Sequence, residues 1–260
     1  MKTQYGEVSV ARDGHVAFLE IDRPPTNFVS VELMTALADA LEDLDQEDPI
    51  RATVVASAGK AFCAGADLAA PSGLGGPNAM QGINALYVEA VRLFSIRKPI
   101  VVAVQGAAVG AGLGLALVGD FRVAAPEARF TANFVKLGFH PGFGITHTLP
   151  QVVGHQRAQL MCLTGRRITG EQALEWGLAD ELAPLDKLRE TAMNLAREIS
   201  ENAPLAVEAT RATFRASLAA AVKTQTDHEH IEQTRLRATK DFAEGVKSVN
   251  ERRLGNFIRA

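Results

Sequence analysis

The sequence predicts an α/β fold in two parts, strands alternating with helices over residues 1–195 and helices alone over residues 196–260. Three observations carry that prediction. Short apolar runs, "RATVVASAG" and "IVVAVQG", read as buried strands, and each ends in a turn of small residues. Stretches with apolar residues at helical spacing separate the strands, an alternation that leads to parallel pairing with helices packed outside. Beyond residue 154 the strand signal fades and helical spacing takes over.

The chain opens with an antiparallel hairpin. Val8 and Val10, then Val16, Phe18 and Ile21, lie on either side of Asp13-Gly14, a strong turn dipeptide. "RPPTN" breaks the pattern. Ser30 then stands as an N-cap before "VELMTALADALEDLDQED", where Leu33, Leu37, Leu41 and Leu44 recur as one face of a helix. "RATVVASAG" is the next strand, closed by Gly59. Residues 71–82, "PSGLGGPNAMQG", read as a loop, and a helix over 83–97 stops near Pro99. "IVVAVQG" follows as a strand, then a short helix over 110–118, then the strand "DFRVAA". "GHQRAQLMCLTG", "TGEQALEWGL" and the chain from Leu185 onward read as helices, and no low-complexity linker divides the two parts.

The 260 residues are 47% hydrophobic and 22% charged, an ordinary globular balance. A net charge of −3 gives no electrostatic reason to expect nucleic acid or an anionic membrane as partner. Cys63 and Cys162 are far apart and in no metal-ligand spacing, so reduced thiols and a cytoplasmic location are expected, with no metal. The first residues lack the apolar run of a signal peptide. The apolar stretch 99–118 approaches membrane length, but its glycines and strand-like first half argue for a buried strand feeding a helix.

Two turns share one design: "AFCAGADL" at 61–68 and "GAAVGAGLGL" at 106–115. Each places small residues where a strand gives way to a helix, and a helix start leaves backbone N–H groups without intrahelical partners. Two such donors converging on one carbonyl oxygen make an oxyanion hole, and losing one costs about 2.7–4 kcal/mol in a transition state. The same composition also serves tight helix–strand packing with no chemistry, and residue types alone leave both readings open. Nucleotide motifs are absent. Gly110, Gly112 and Gly114 are spaced G-x-G-x-G with Leu117 where a dinucleotide fingerprint needs glycine, no Lys-Ser/Thr follows, and Val91 stands four residues after Tyr87 where a short-chain reductase carries lysine.

"AFCAGADL" followed by "KPIVVAVQGAAVGAGLGLALVGDFRVAAPEARF", then "ITGEQALEWGLADELAP" and "TKDFAEGVKSVNERRLGNF", resembles the enoyl-CoA hydratase/isomerase, or crotonase, superfamily over essentially the whole chain. The resemblance implies a ClpP-like spiral of ββα repeats and a helical C-terminal region used for trimerisation, with trimers often paired into hexamers. It implies an acyl-CoA thioester as substrate, no tightly bound cofactor, and a thioester carbonyl held by the N–H groups of Ala66 and Ala111. Coenzyme A is expected along Pro25 and Thr26 and along Ala64, Asp67 and Leu68. Arg252 falls where the family often has a lysine reaching the CoA phosphate from a neighbouring subunit. From residue 235 to 260 the chain carries seven Lys/Arg against three Asp/Glu, which suits a phosphate. Asp67 is also expected to cap the helix that presents the Ala66 N–H.

One departure stands out. Hydratases of the family use two glutamates to add water, and this chain has Gly114 and Phe134 at those positions. His140, in "LGFHPGFG", is the expected replacement proton carrier, because histidine titrates near neutral pH. Tyr87 and Glu89 reach toward the pocket from the opposite wall but read as packing or surface residues, and Cys63 is expected to point into the core. Phe134, Phe139 and Phe143 suggest an apolar wall that favours fatty or aromatic acyl groups over charged ones. The leading expectation is an acyl-CoA enzyme of enoyl-CoA hydratase/isomerase type. Two alternatives stand beside it: enolate chemistry other than hydration (decarboxylation, thioester or C–C hydrolysis) using His140, and acyl-CoA binding without catalysis.

Overall fold

The computed structural model describes residues 1–67 and 79–260. A seven-stranded sheet has the order β1-β2-β3-β4-β5-β7-β10, and a three-stranded sheet has the order β6-β8-β9. β1 (Gln4–Tyr5), β2 (Val8–Asp13) and β3 (Val16–Ile21) form the antiparallel edge, with Asp13 opposite Val16 across the expected turn. From β3 onward the large sheet is parallel, through β4 (Ala52–Ser57), β5 (Ile100–Val104), β7 (Phe121–Ala124) and β10 (Glu181–Leu182).

Every residue of β4 and β5 is buried, because both faces of the sheet are covered. Val55, Ile100, Val102 and Val104 face α1 (Val31–Asp45) and α2 (Ala79–Phe94), while Val54, Ala56, Val101 and Ala103 face α7 (Leu188–Ser200). Ser30 caps α1 by accepting from the Leu33 N–H at 3.2 Å. The boundary expected at 195/196 falls inside α7, a helix that lies on the sheet.

The chain advances in strand–strand–helix units. β2, β3 and α1 form one. β5, β6 (Ala107–Val109) and α3 (Ala111–Ala116) form another. Between them, β4 leads to Cys63, which bridges Ala108 in parallel and so occupies the strand position beside β6. β6 pairs in parallel with β8 (Arg129–Thr131), and β8 pairs antiparallel with β9 (Arg167–Thr169). This is a spiral of ββα turns with one sheet on each side of the small-residue bends.

The boundaries differ from expectation in four places. The helix expected over 83–97 runs Ala79–Phe94. It stops short because the Asp45 carboxylate takes the N–H groups of Arg97 and Lys98 and holds that segment out of the helix. The helix expected over 110–118 is only six residues long. β6 intervenes between β5 and α3, so the second small-residue turn does not lead directly from β5 to a helix. β9 and β10 fall in the region read as purely helical, and at three and two residues they are too short to show a strand pattern.

The C-terminal part contains α8 (Pro204–Phe214), α9 (Leu218–Arg237) and α10 (Lys240–Asn250). α9 packs on α2 and on α4 (Ile145–Val153), and α10 packs on a 3-10 turn at Asn133–Leu137. No helix among the described residues is long and apolar enough to cross a membrane.

Candidate active site

The two small-residue turns interlock through their backbones. The Cys63 N–H donates to the Ala107 carbonyl at 2.9 Å, and the Val109 N–H donates to the Cys63 carbonyl at 3.0 Å. A Cβ on Gly106 would stand 1.9 Å from the Lys60 carbonyl oxygen, and one on Gly112 would stand 2.0 Å from that of Cys63. These two glycines therefore serve close packing, not ligand access, which corrects part of the sequence reading. Gly65 adds a positive φ of 94° and lies against the Val109 carbonyl, where a Cβ would come within 2.8 Å. From the other side Asn27 is fully buried, and its side-chain amide donates to the carbonyls of Ala58 and Ala61, both at 2.8 Å. The Ala64 N–H donates to Thr26 and the Val29 N–H to Gly65, so "RPPTN" is fastened along the first turn.

Two of the remaining amides share a cavity. Among the described residues neither the Ala66 N–H nor the Ala111 N–H meets a backbone acceptor, and both residues line one cavity of about 340 Å³. Ala64, Gly65 and Asp67 from the first turn and Val109 and Gly110 from the second complete that end. Ile83, Leu86 and Tyr87 of α2 line it as well. Phe134, Phe139 and Phe143, Gln233 and Arg237 of α9, and Val246, Val249 and Asn250 of α10 also line it. A larger hollow, about 790 Å³, is lined by α8, α4 and the start of β7 and contains no residue of either turn.

The sequence-derived residues divide. Ala64, Ala66, Asp67 and Ala111 come together in the cavity wall. Pro25 is exposed and Thr26 half-buried beside the first turn, and neither lines the cavity. Leu68, and the helix that Asp67 was expected to cap, lie outside the described residues, as does most of the loop expected at 71–82. Arg252 is exposed beyond α10 and away from the cavity wall. His140 is not brought to the cavity: its Nδ1 lies 2.7 Å from the Pro141 carbonyl, and its ring meets His228 of α9 edge-on at 5.8 Å.

At the two positions where the resemblance leads one to expect glutamates, the structure has a packed apolar wall. A Cβ at Gly114 would lie 2.5 Å from the Phe143 ring, so Phe143 fills the space that an acid there would need. Phe134 is buried and meets Phe139 edge-to-face at 5.4 Å. Cys63 is fully buried, and burial pushes its thiol up to about 12, so it is no nucleophile.

Tyr87, read from the sequence as a packing or surface residue, is buried and also lines the cavity, and sequence reasoning missed Glu229. The Tyr87 ring lines the cavity, and burial, with the nearby Glu229 charge, pushes its hydroxyl well above the ordinary tyrosine value, so it persists as a neutral donor. Glu89, by contrast, is paired with Arg92 at 2.6 Å and is absent from the cavity wall. Glu229, on α9, is fully buried and accepts from the Gly144 N–H and the Thr146 hydroxyl, both at 2.8 Å, at the start of α4. Burial pushes its carboxyl up to about 7. Nothing in "HEHIEQTRLR" separates this glutamate from its exposed neighbours.

The family model described as enoyl-CoA hydratase/isomerase matches residues 11–259. The chain belongs to the enoyl-CoA hydratase/isomerase family. Among curated members of that family, it is 41% identical over 216 residues to "Probable enoyl-CoA hydratase echA14" of Mycobacterium tuberculosis, covering 82% of this chain and 83% of that protein. It is 34% identical to the 1,2-epoxyphenylacetyl-CoA isomerase of Escherichia coli over 93% of this chain and 94% of that one. Among solved structures, the enoyl-CoA hydratase/isomerase from Pseudoalteromonas atlantica superposes with a TM-score of 0.83 at 30% identity, covering 97% of this chain and 100% of that chain. The spiral of ββα turns is therefore the crotonase fold, and the protein is an enzyme of this hydratase/isomerase family.

Proposed function

We propose that the protein binds an acyl-CoA thioester in the cavity between the two turns and isomerises its acyl group, with the thioester oxygen held by the Ala66 and Ala111 N–H groups. The observation that carries this reading is the pair of amides on one cavity wall that meet no backbone acceptor among the described residues. Hydrogen bonds to the oxygen polarise the carbonyl and acidify the adjacent C–H, so an enolate forms and is stabilised in place. Each donor is worth about 2.7–4 kcal/mol in the transition state. Isomerisation is favoured over hydration because Gly114 and Phe134 carry no carboxylate to activate water. Among the described residues Asp67 and Tyr87 are the carboxyl and hydroxyl side chains on the cavity wall, and on this reading proton transfer falls to them. The likeness to an epoxyphenylacetyl-CoA isomerase supports the same side of the family.

On this reading Pro25, Thr26 and Ala64 border the coenzyme, and Arg252 serves the CoA phosphate of a neighbouring subunit in a homotrimer or hexamer. No tightly bound cofactor takes part, and the enzyme works in the cytoplasm, in keeping with its two free cysteines. The test uses two substrates. A 3-enoyl-CoA should be converted to the conjugated 2-enoyl-CoA, seen as a rise in enoyl absorbance, while crotonyl-CoA should show little loss. Ala111→Pro removes one amide at the first position of α3, where proline is tolerated. It should lower kcat by roughly 10²–10³ with an unchanged far-UV spectrum. Rapid loss of crotonyl-CoA would overturn the preference for isomerisation, and wild-type turnover by Ala111→Pro would remove the amide from the mechanism.

A further inference from the structure

α2 brings a hydroxyl to a cavity lined mostly by apolar side chains. Tyr87 is 6% exposed and lines the cavity together with Ile83, Leu86 and Phe143. Its oxygen lies against Gly142, where a Cβ would stand 2.1 Å from it and 2.6 Å from Gln233 Nε2. Hydroxyl and amide therefore meet at one bare point of the backbone. The segment around that point is fastened from α9: Gln233 Nε2 donates to the His140 carbonyl at 2.8 Å, and Glu229 accepts from the Gly144 N–H at 2.8 Å. Between these anchors Phe143 takes a left-handed φ of 63°, uncommon for a bulky residue. The Phe143 N–H and the Gln233 amide approach the Tyr87 oxygen as donors. That leaves the hydroxyl hydrogen, for which no acceptor stands among the described residues. The chain's other tyrosine differs, since the Tyr5 hydroxyl donates to Asp43 at 2.6 Å.

We propose that Tyr87 is a specificity residue whose hydroxyl donates to an uncharged oxygen on the acyl chain, with Gln233 positioning it, so that the preferred substrates are oxygen-bearing acyl-CoA thioesters. This rests on the acyl-CoA reading above and adds the acyl class to it. Three features support it. A buried donor without an acceptor is unfavourable, and a ligand oxygen that reaches it removes that penalty, which a methylene cannot do. The two groups that approach the Tyr87 oxygen fix the direction in which its hydrogen is offered, and their own backbone anchors on α9 hold them in place before a ligand arrives. The mostly apolar lining makes a charged acceptor expensive to strip of water, which favours a keto, epoxide or hydroxyl oxygen over a carboxylate. The phenylalanines still pack the rest of the chain, so the apolar preference expected from them applies to the acyl group apart from this one oxygen.

The experiment titrates the full-length protein calorimetrically with octanoyl-CoA and with 4-, 5- and 6-oxooctanoyl-CoA. The expected result is that one oxo thioester binds roughly 5- to 100-fold more tightly than octanoyl-CoA, the range set by pairing a buried donor. Y87F keeps the ring and removes the donor, and should bring that ratio to one or below. Q233L should lower it part-way, whereas a merely structural role for Gln233 would weaken all four ligands alike and leave the ratio unmoved. Equal binding by the wild type, a preference for octanoyl-CoA, or a ratio that survives Y87F overturns the role of Tyr87 and leaves the acyl-CoA reading standing. A ratio untouched by Q233L removes Gln233 from the proposal. Failure to bind any of the four thioesters overturns the acyl-CoA reading itself. Thermal melting checks each variant, and if Y87F does not fold, the wild-type ratio and Q233L decide.

Discussion

Gly114 and Phe143 share one volume, and that pairing decides what a single substitution can restore. Since a Cβ at position 114 would already lie 2.5 Å from the ring, Gly114→Glu should not recover hydration. It should cost about 1–3 kcal/mol as an overpacked core and lower the melting temperature. Gly114→Glu combined with Phe143→Ala opens the volume and should recover part of that loss. A single variant as stable as the wild type would contradict the argument. Residue identity made this site half legible. The small-residue turns could be read because their sequence signal is local, and the family resemblance then pointed to Ala66 and Ala111 within them and to Gly114 and Phe134 where it expects glutamates. That Phe143 occupies the vacated space was hidden, because positions 114 and 143 meet only in three dimensions. The placing of His140 was hidden for the same reason: its chemistry suits the task, and its ring turns toward α9.

At the scale of elements, α9 is tied to α4 by one carboxyl. Glu229 of α9 accepts from Gly144 and Thr146 at the α4 start, and burial raises its pKa from 4.5 to about 7. A raised carboxyl means that the folded state holds the proton more tightly than the unfolded one. Its contribution to stability is therefore full below pH 4.5 and is lost as the pH rises through about 7. Urea denaturation of wild type and Glu229→Gln across that window should show the wild type losing about 2–3 kcal/mol relative to the variant, which cannot ionise. Parallel pH profiles would exclude the assignment. The long elements were legible because α1, β4 and β5 carry sustained periodic or apolar patterns. β6, β8 and β9 were not, since three residues give no period, and their pairing is set by the turns of the spiral.

The whole molecule carries an uneven surface. On α8, Leu205 and Phe214 are 79% and 86% exposed, and Phe214 borders the hollow of about 790 Å³ between α8, α4 and the start of β7. Beneath it Asp120 holds Arg211 and Arg215 at 2.9 and 2.7 Å and accepts from the Ile100 N–H, so α8 is fastened to β5 at its base while its outer face stays apolar. Such a face suits contact with further copies of the chain. The proposed trimer or hexamer predicts a light-scattering mass of three or six chains, and Leu205→Asp with Phe214→Asp should shift it toward the single chain. A monomeric wild type would rule the assembly out.

The interlocked turns also bear on inheritance. Point mutation rewrites side chains, and a peptide N–H survives every codon change except one to proline. The amides at residues 66 and 111 are therefore transmitted with the fold, while Gly114, Phe134 and Tyr87 stay open to replacement. A lineage built on this scaffold can exchange one reaction for another by changing only the walls.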